Sequence, residues 1–272
     1  MIPAAVDYVR SSSLDEALAA LSDPDAKALA GGQSLVSVLK LRLVRPTLLV
    51  DIGALGLRGV ERRGEEITIG ALTVWDDVVR APELQRPALR AIAECAAGIG
   101  DLQVRNRGTV GGGLAHADPA SDLPAVAIAF GAQLGLRSLT GERTVDSTDF
   151  FLGPFTTALD PGELLIELVV PIPPPGSGSA YVSVEHPASG FAIAGAAAVV
   201  RPDGSRTIGV TGVSDRPFLL ADDDPAHAFA EQQVFGDHFC PAEYRRHLGS
   251  VVVRRALEQA LERAEEDLRW SA

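Results

Sequence analysis

Apolar positions along the chain switch between helical and strand periods, with glycine and proline at the switches. Ser13-Leu14-Asp15-Glu16 has the form of a capping box, and Leu14, Leu18 and Leu21 then line one helical face. "AKALA" (26–30) reads as a short buried strand running into "GGQSL". The run "LVSVLKLRLV" (35–44) is helical in pattern and ends ahead of Pro46, and "TLLVDI" (47–52) reads as a strand. Strand, glycine turn, helix and strand in that order form a small α/β unit. Further on, "EEITIGA" (65–71) reads as a strand, and Thr73–Arg80 and Arg86–Ala97 as helices, the second apolar through Leu89, Ile92 and Ala96. "DLPAVAIAFGAQLGLRS" (122–138) gives a short helix and a strand, and "GELLIELVVP" (162–171) another strand.

The clearest seam is "PIPPPGSGSA" (171–180), where prolines and then Gly/Ser break all periodicity. Strand patterns follow at "AIAGAAAVV" (192–200) and "TIGVTGV" (207–213), and a long closing helix runs from about Ala242 through Leu248, Val252, Leu257 and Leu261. This is an α+β arrangement with a boundary near 175 and an earlier one near 55. It places a first domain over 1–175, with subdomains of about 1–55 and 56–175, ahead of a smaller one over 176–272.

At 272 residues and 46% hydrophobic, the chain can bury a substantial core. A net charge of −12 argues against nucleic acid or an anionic membrane surface as partner. No apolar run approaches the length of a membrane span, and the first residues lack the basic-then-apolar order of a signal peptide, so a cytoplasmic protein is expected. Cys95 and Cys240 make neither a disulfide framework nor a metal set.

Two glycine-rich segments carry the candidate chemistry: "AGGQSL" (30–35) and "TVGGG" (109–113), each read as a turn with one hydroxyl, Ser34 or Thr109. Neither spells a dinucleotide fingerprint or a P-loop. Consecutive backbone N–H groups in such turns form an anion-binding concavity, and two of them facing each other could hold a diphosphate without a Lys or Arg clamp. Each segment by itself is more often just a plain turn. His116, Asp118 and Asp122 allow a metal reading, but Asp118-Pro119 matches a helix N-cap with Pro at the first helical position. Asp122 suits a ribose or backbone hydrogen bond. His116, between alanines, reads as packed and hydrogen-bonded. Arg105 and Arg107 flank the loop as surface charge or as contacts to a phosphate or a partner. No nucleophile elbow is present, and Cys95 falls on an apolar helix face, so no catalytic residue is nominated.

"AGGQSLVSVLKLRLVRPTLLVDI" and "IGDLQVRNRGTVGGGLAHADPASDLPA" resemble the FAD-binding medium subunits of molybdenum hydroxylases. The aerobic carbon monoxide dehydrogenase medium subunit is a type of this family, and xanthine dehydrogenase carries an equivalent domain. The similarity extends through "PGELLIELVVPIP", "HPASGFAIAGAAA" and "EYRRHLGSVVVRRALEQAL". It implies a two-part FAD-binding domain of the vanillyl-alcohol oxidase (PCMH) type, followed by a smaller α/β C-terminal domain. By the resemblance, Ala30, Gly31, Gly32, Gln33, Ser34 and Leu35 wrap the FAD diphosphate together with Thr109, Gly111, Gly112 and Gly113. Asp122 bonds the ribityl or ribose region with Asp118 nearby, Ile99 and Leu165 pack near the cofactor, and Phe191 matches an aromatic position beside the isoalloxazine.

The resemblance also implies partners: a large molybdopterin subunit that hydroxylates the substrate and a small [2Fe–2S] subunit that feeds electrons to FAD, in a dimer of heterotrimers. The lack of cysteine clusters fits iron–sulfur centres on another chain. Two positions depart from the pattern. Relatives usually have Ser or Asn at Gly113, and many have Lys at Ser183, whose absence implies a lower flavin potential. These departures keep open a flavin-free scaffold subunit, and a free-standing flavin oxidoreductase is the other alternative.

Overall fold

In the computed structural model, residues 2–221, 224, 227–229 and 232–270 are described. The chain begins with β1 (Asp7–Arg10), α1 (Leu14–Leu21), β2 (Ala26–Leu29), α2 (Leu35–Lys40) and β3 (Leu48–Asp51), whose strands form a parallel sheet in the order β1-β3-β2. Ser13 caps α1 by accepting from the Glu16 N–H at 3.2 Å. The Glu16 carboxylate closes the box one residue early, accepting from the Ser12 N–H at 2.7 Å. The helix expected over 35–44 stops at Lys40, because Arg42 takes a left-handed φ of 59° in which a helix cannot continue.

A second unit contains β4 (Val60–Arg63), β5 (Glu66–Gly70), α3 (Trp75–Arg80), α4 (Arg90–Gly98), α5 (Leu102–Arg105), α6 (Val110–His116), α7 (Leu123–Phe130), β6 (Gln133–Ser138), β7 (Gly141–Asp146), α8 (Ser147–Phe150), β8 (Phe151–Gly153), β9 (Thr156–Thr157) and β10 (Leu164–Pro171). Its five-stranded antiparallel sheet has the order β4-β5-β10-β6-β7, with Leu168 opposite both Ile69 and Leu134. The edge strands "VERR" and "GERTVD" are polar, as exposed edges require, and that polarity hid them from a hydrophobic pattern. The helix expected from Thr73 starts at Trp75, since the Thr73 hydroxyl is held by both backbone groups of Gly59.

The expected seam at 171–180 is shorter in the structure than in the sequence, because Gly178 already pairs in the next strand. The last unit comprises β11 (Gly178–Glu185), β12 (Ala192–Val200), β13 (Arg206–Thr211), β14 (Phe218–Leu219) and α9 (Ala242–Trp270), with an antiparallel sheet β11-β12-β13-β14. One face of this sheet, through Ala194, Ala196, Ala198 and Val210, packs on α9. The other, through Ala197 and Val199, joins the core that contains α4 and α7.

This sandwiching explains α7, "LPAVAIAF", in which every residue is buried: a helix apolar on all sides must be covered on all sides. The close approach depends on missing side chains. A Cβ at Gly209 would collide with the Ala125 carbonyl of α7, and one at Gly178 with the Ala260 carbonyl of α9. Hydrogen bonds complete the joint: the Thr207 hydroxyl donates to the Ala129 carbonyl at 2.6 Å, and the Ala91 N–H at the start of α4 donates to Ser179 Oγ at 3.1 Å. The latter cap, supplied from β11, is why α4 starts at Arg90 rather than Arg86.

Gly209→Ala and Gly178→Ala should each destabilise the chain by about 3 kcal/mol or more, because the obstructing atom is backbone that has nowhere to go. Gly153→Ala, with nothing within 4 Å of its added methyl, should stay within about 0.5 kcal/mol of the parent. Denaturant melts of the three variants check the difference.

Candidate functional site

Two segments some eighty residues apart meet because one residue has no side chain. The backbone of Gly31 lies against Arg107 and Gly108, so close that a Cβ would collide with the Arg107 carbonyl. Ala30 then faces Gly112, with its methyl 3.9 Å from where a Gly112 Cβ would sit. Gly32 follows at φ 72°, a left-handed position that turns the chain into α2.

The two segments differ in what their backbone offers. Among the described residues, the N–H groups of Gly32, Gln33, Ser34 and Leu35 have no hydrogen-bond partner, and Ser34 makes no side-chain cap. They are grouped, part-exposed donors, the arrangement that binds an anion.

The second segment is not the turn that its glycines imply. It is the first turn of α6, capped by Thr109, whose Oγ1 accepts from the Gly112 N–H at 3.1 Å. The remaining N–H groups are also used: Val110 to the Thr73 carbonyl, Gly111 to Ala71 and Gly113 to Thr109, at 2.9, 2.8 and 3.0 Å. Its glycines answer to packing. A Cβ on Gly111 would be 2.5 Å from the Ala71 methyl, and one on Gly113 would be 2.8 Å from the Trp75 ring. What this segment can offer a ligand is the Thr109 hydroxyl hydrogen and the open edge at exposed Gly112.

A second cluster lies at the far end of α6, about 10 Å along the helix axis from its start. Asp118 does not cap a helix: its Oδ1 accepts from the Ala120 N–H at 2.9 Å in a local turn, and α7 begins later, at Leu123. Asp122 immediately precedes α7, is 8% exposed and accepts from the Tyr181 hydroxyl of β11. Burial pushes its carboxyl up to about 6; Glu185 and Asp118 add to the rise, and the Tyr181 hydrogen bond opposes it.

Ser183 lies two residues beyond Tyr181 on β11, half-buried. Ile99 caps the C-terminus of α4, where Gly98 faces the Glu185 carboxylate. Phe191, 44% exposed, closes the β11–β12 hairpin by accepting from the His186 N–H at 2.8 Å. Its neighbour Ala192 donates to the Ala120 carbonyl at 3.3 Å, which puts the hairpin beside the Asp118 turn. Leu165 is a core residue of β10, at the strand whose Ile166 carbonyl accepts from Ala71 beneath α6.

The flanking residues divide. Arg105 donates to the carbonyls of Ile99 and Gly100, which makes it a brace for the α4–α5 turn. Arg107 is exposed. His116 packs its ring against Phe155, with centroids 5.1 Å apart. Tyr181, Trp75 and Ala71 shape the site without having been singled out in the sequence. Tyr181 was legible in principle: in "YVSVE" the period of two puts Tyr181, Ser183 and Glu185 on one face once a strand is assigned there.

A row of free backbone donors and hydroxyls, followed one short helix away by a buried carboxylate, is an arrangement whose chemistry suits an extended, phosphorylated, nucleotide-like ligand. The family model for the FAD binding domain in molybdopterin dehydrogenase matches residues 4–173. The carbon monoxide dehydrogenase medium chain of Afipia carboxidovorans is 36% identical, over 97% of this chain and 99% of that one. The glyceraldehyde dehydrogenase medium chain of Sulfolobus acidocaldarius is 34% identical, over 95% and 99%. A solved structure of carbon monoxide dehydrogenase from Hydrogenophaga pseudoflava superposes with a TM-score of 0.92 at 36% identity, covering 97% of this chain and 99% of that one. The chain belongs to the family of FAD-binding subunits of molybdopterin-dependent dehydrogenases, which are multi-subunit oxidoreductases.

The fit of Gly113 to Trp75 gives a test of the site's construction. Gly113→Ala should cost about 1–3 kcal/mol in the parent chain, and most of that cost should vanish in a Trp75→Leu background. A double-mutant cycle of unfolding free energies measures the coupling; independent effects would mean that Trp75 does not occupy the space.

Proposed function

We propose that this chain carries FAD as the electron-transfer subunit of a molybdenum hydroxylase, taking electrons from a [2Fe–2S] subunit and passing them to an external acceptor. The observation that supports it most is the set of unpartnered N–H groups at Gly32–Leu35, brought by Gly31 against the Thr109 segment. Donors of this kind suit a diphosphate and require no cationic clamp. The family and its relatives' names point to FAD as the group with that chemistry.

In this reading Ala30–Leu35 bind the diphosphate through backbone N–H groups and the Ser34 hydroxyl. Thr109 adds its hydroxyl hydrogen, while Gly111, Gly112 and Gly113 give the shape on which the ligand rests. Asp122 accepts from a ribityl or ribose hydroxyl, with Asp118 nearby, and Ile99, Leu165, Ser183 and Phe191 surround the rings and limit water. Bound FAD supplies the exchange between one-electron and two-electron carriers. No proton donor or acceptor from this chain is required for electron passage. Residues 1–175 are the cofactor-bearing unit and 176–272 the domain that braces it, and the complex is a dimer of heterotrimers with a molybdopterin large subunit. Its substrate is chosen on that large subunit, in keeping with relatives named for carbon monoxide and for glyceraldehyde.

Gly113 belongs to this reading rather than to a subunit that has lost its flavin, because Trp75 fills the space a side chain would take. Acid treatment of the purified chain should release FAD at about one per chain, and Ser34→Ala with Thr109→Val should weaken its retention roughly tenfold. In the same preparation Ser183→Lys should raise the flavin midpoint potential. A colourless chain that takes up no added FAD contradicts the reading, and an unchanged or lower potential contradicts the role given to position 183.

A further inference from the structure

The carboxylate at the far end of the proposed site is held from outside the 4–173 match. Asp122 Oδ1 accepts from Tyr181, a residue of β11 whose ring packs on the core of the second unit. Gly195 on the adjacent strand makes room for the phenol, since a Cβ there would collide with the hydroxyl. The loop leading into Asp122 is held by the same sheet. The Thr211 hydroxyl lies 2.9 and 2.8 Å from the carbonyls of Pro119 and Ser121. The N–H of Gly212 donates to Pro119 at 3.0 Å, and that of Ala192 to Ala120 at 3.3 Å.

We propose that Tyr181 is a positioning residue that fixes the Asp122 carboxylate for cofactor binding, so that the C-terminal sheet controls how firmly the first domain holds its ligand. The proposal rests on the FAD reading above. It accounts for an arrangement that packing alone does not require: a partly buried phenol and a buried carboxylate paired across two units, with a glycine reserved for the hydroxyl.

The groups facing Asp122 set the direction of the effect. Glu185 of β11 and Asp118 of the preceding turn repel its charge, the Cys95 thiol of α4 lies buried beneath, and Glu94 of α4 is paired with Arg263 of α9. Burial is the largest influence and disfavours the carboxylate; the Tyr181 hydroxyl is the side-chain donor that favours it. Removing that hydroxyl therefore raises the carboxyl further, and less of it is ionised near neutrality.

The test uses the full-length chain stripped of flavin and labelled with ¹³C at aspartate carboxyls, with Asp122→Asn to assign the signal. The parent Asp122 should titrate with a midpoint near pH 6. In Tyr181→Phe its proton affinity should rise by about tenfold. Gly195→Ala, which displaces the phenol without removing it, should move the midpoint the same way. Added FAD, followed by fluorescence quenching from pH 5.5 to 8.5, should lose affinity on the acid side, and in Tyr181→Phe this loss should begin at higher pH. An Asp122 midpoint unmoved in Tyr181→Phe overturns the proposal, as does an FAD pH profile identical in parent and variant. A moved midpoint with no FAD bound at any pH upholds the hold of Tyr181 on Asp122 and overturns the cofactor reading instead.

Discussion

The arrangement of the site depends on one close backbone approach, that of Gly31 to Arg107 and Gly108. Through it, a small parallel α/β unit and a larger antiparallel one present their glycine segments to each other. Without it, the free N–H groups at Gly32–Leu35 and the Thr109 hydroxyl would belong to separate surfaces. The contact is backbone against backbone, so a residue with a Cβ cannot preserve it, and the attraction between Asp51 and Arg107 acts beside it.

The same device recurs at the other joints. Gly111 lets α6 rest on Ala71, Gly209 lets α7 rest on β13, and Gly178 lets α9 rest on β11. Helices and sheets are thereby held at backbone distance along a line from the first glycine segment to the closing helix. Hydrogen bonds donated by the Thr207 and Thr211 hydroxyls and accepted by Ser179 Oγ fasten that line at intervals. The C-terminal sheet is thereby joined to α7 and to the turn before it, on which Asp118 and Asp122 stand. An acidic chain can hold an anion in this way because dipoles aimed by the fold replace formal positive charge.

Much of this was legible in the sequence where apolar periodicity was strong. "AIAGAAAVV" is β12 residue for residue, and "DLPAVAIAFGAQLGLRS" contains α7 and β6. Polar edge strands such as β4 and β7 were not, because a single apolar residue in each, Val60 or Val145, packs on the core and one position makes no period. β11 was missed for another reason: its first residues look like linker, and only its pairing with β12 shows otherwise. At the site, the glycine segments stood out, yet the two are unlike. Composition cannot tell a glycine that frees an N–H for a ligand from one that admits a neighbouring methyl or indole, as Gly111 and Gly113 do. Asp118 shows the same limit, since an Asp-Pro step fits a helix cap and a local turn equally well.

In the FAD reading, the donors for the ligand lie in the first segment while the second supplies shape. Residue-resolved amide hydrogen exchange on the flavin-free chain, with and without added FAD, addresses it directly. The largest gain in protection should fall on Gly32–Leu35, whose N–H groups begin without partners, with much smaller changes at Val110–Gly113, already bonded within the protein. Protection gained at Val110–Gly113 with none at Gly32–Leu35 would contradict it.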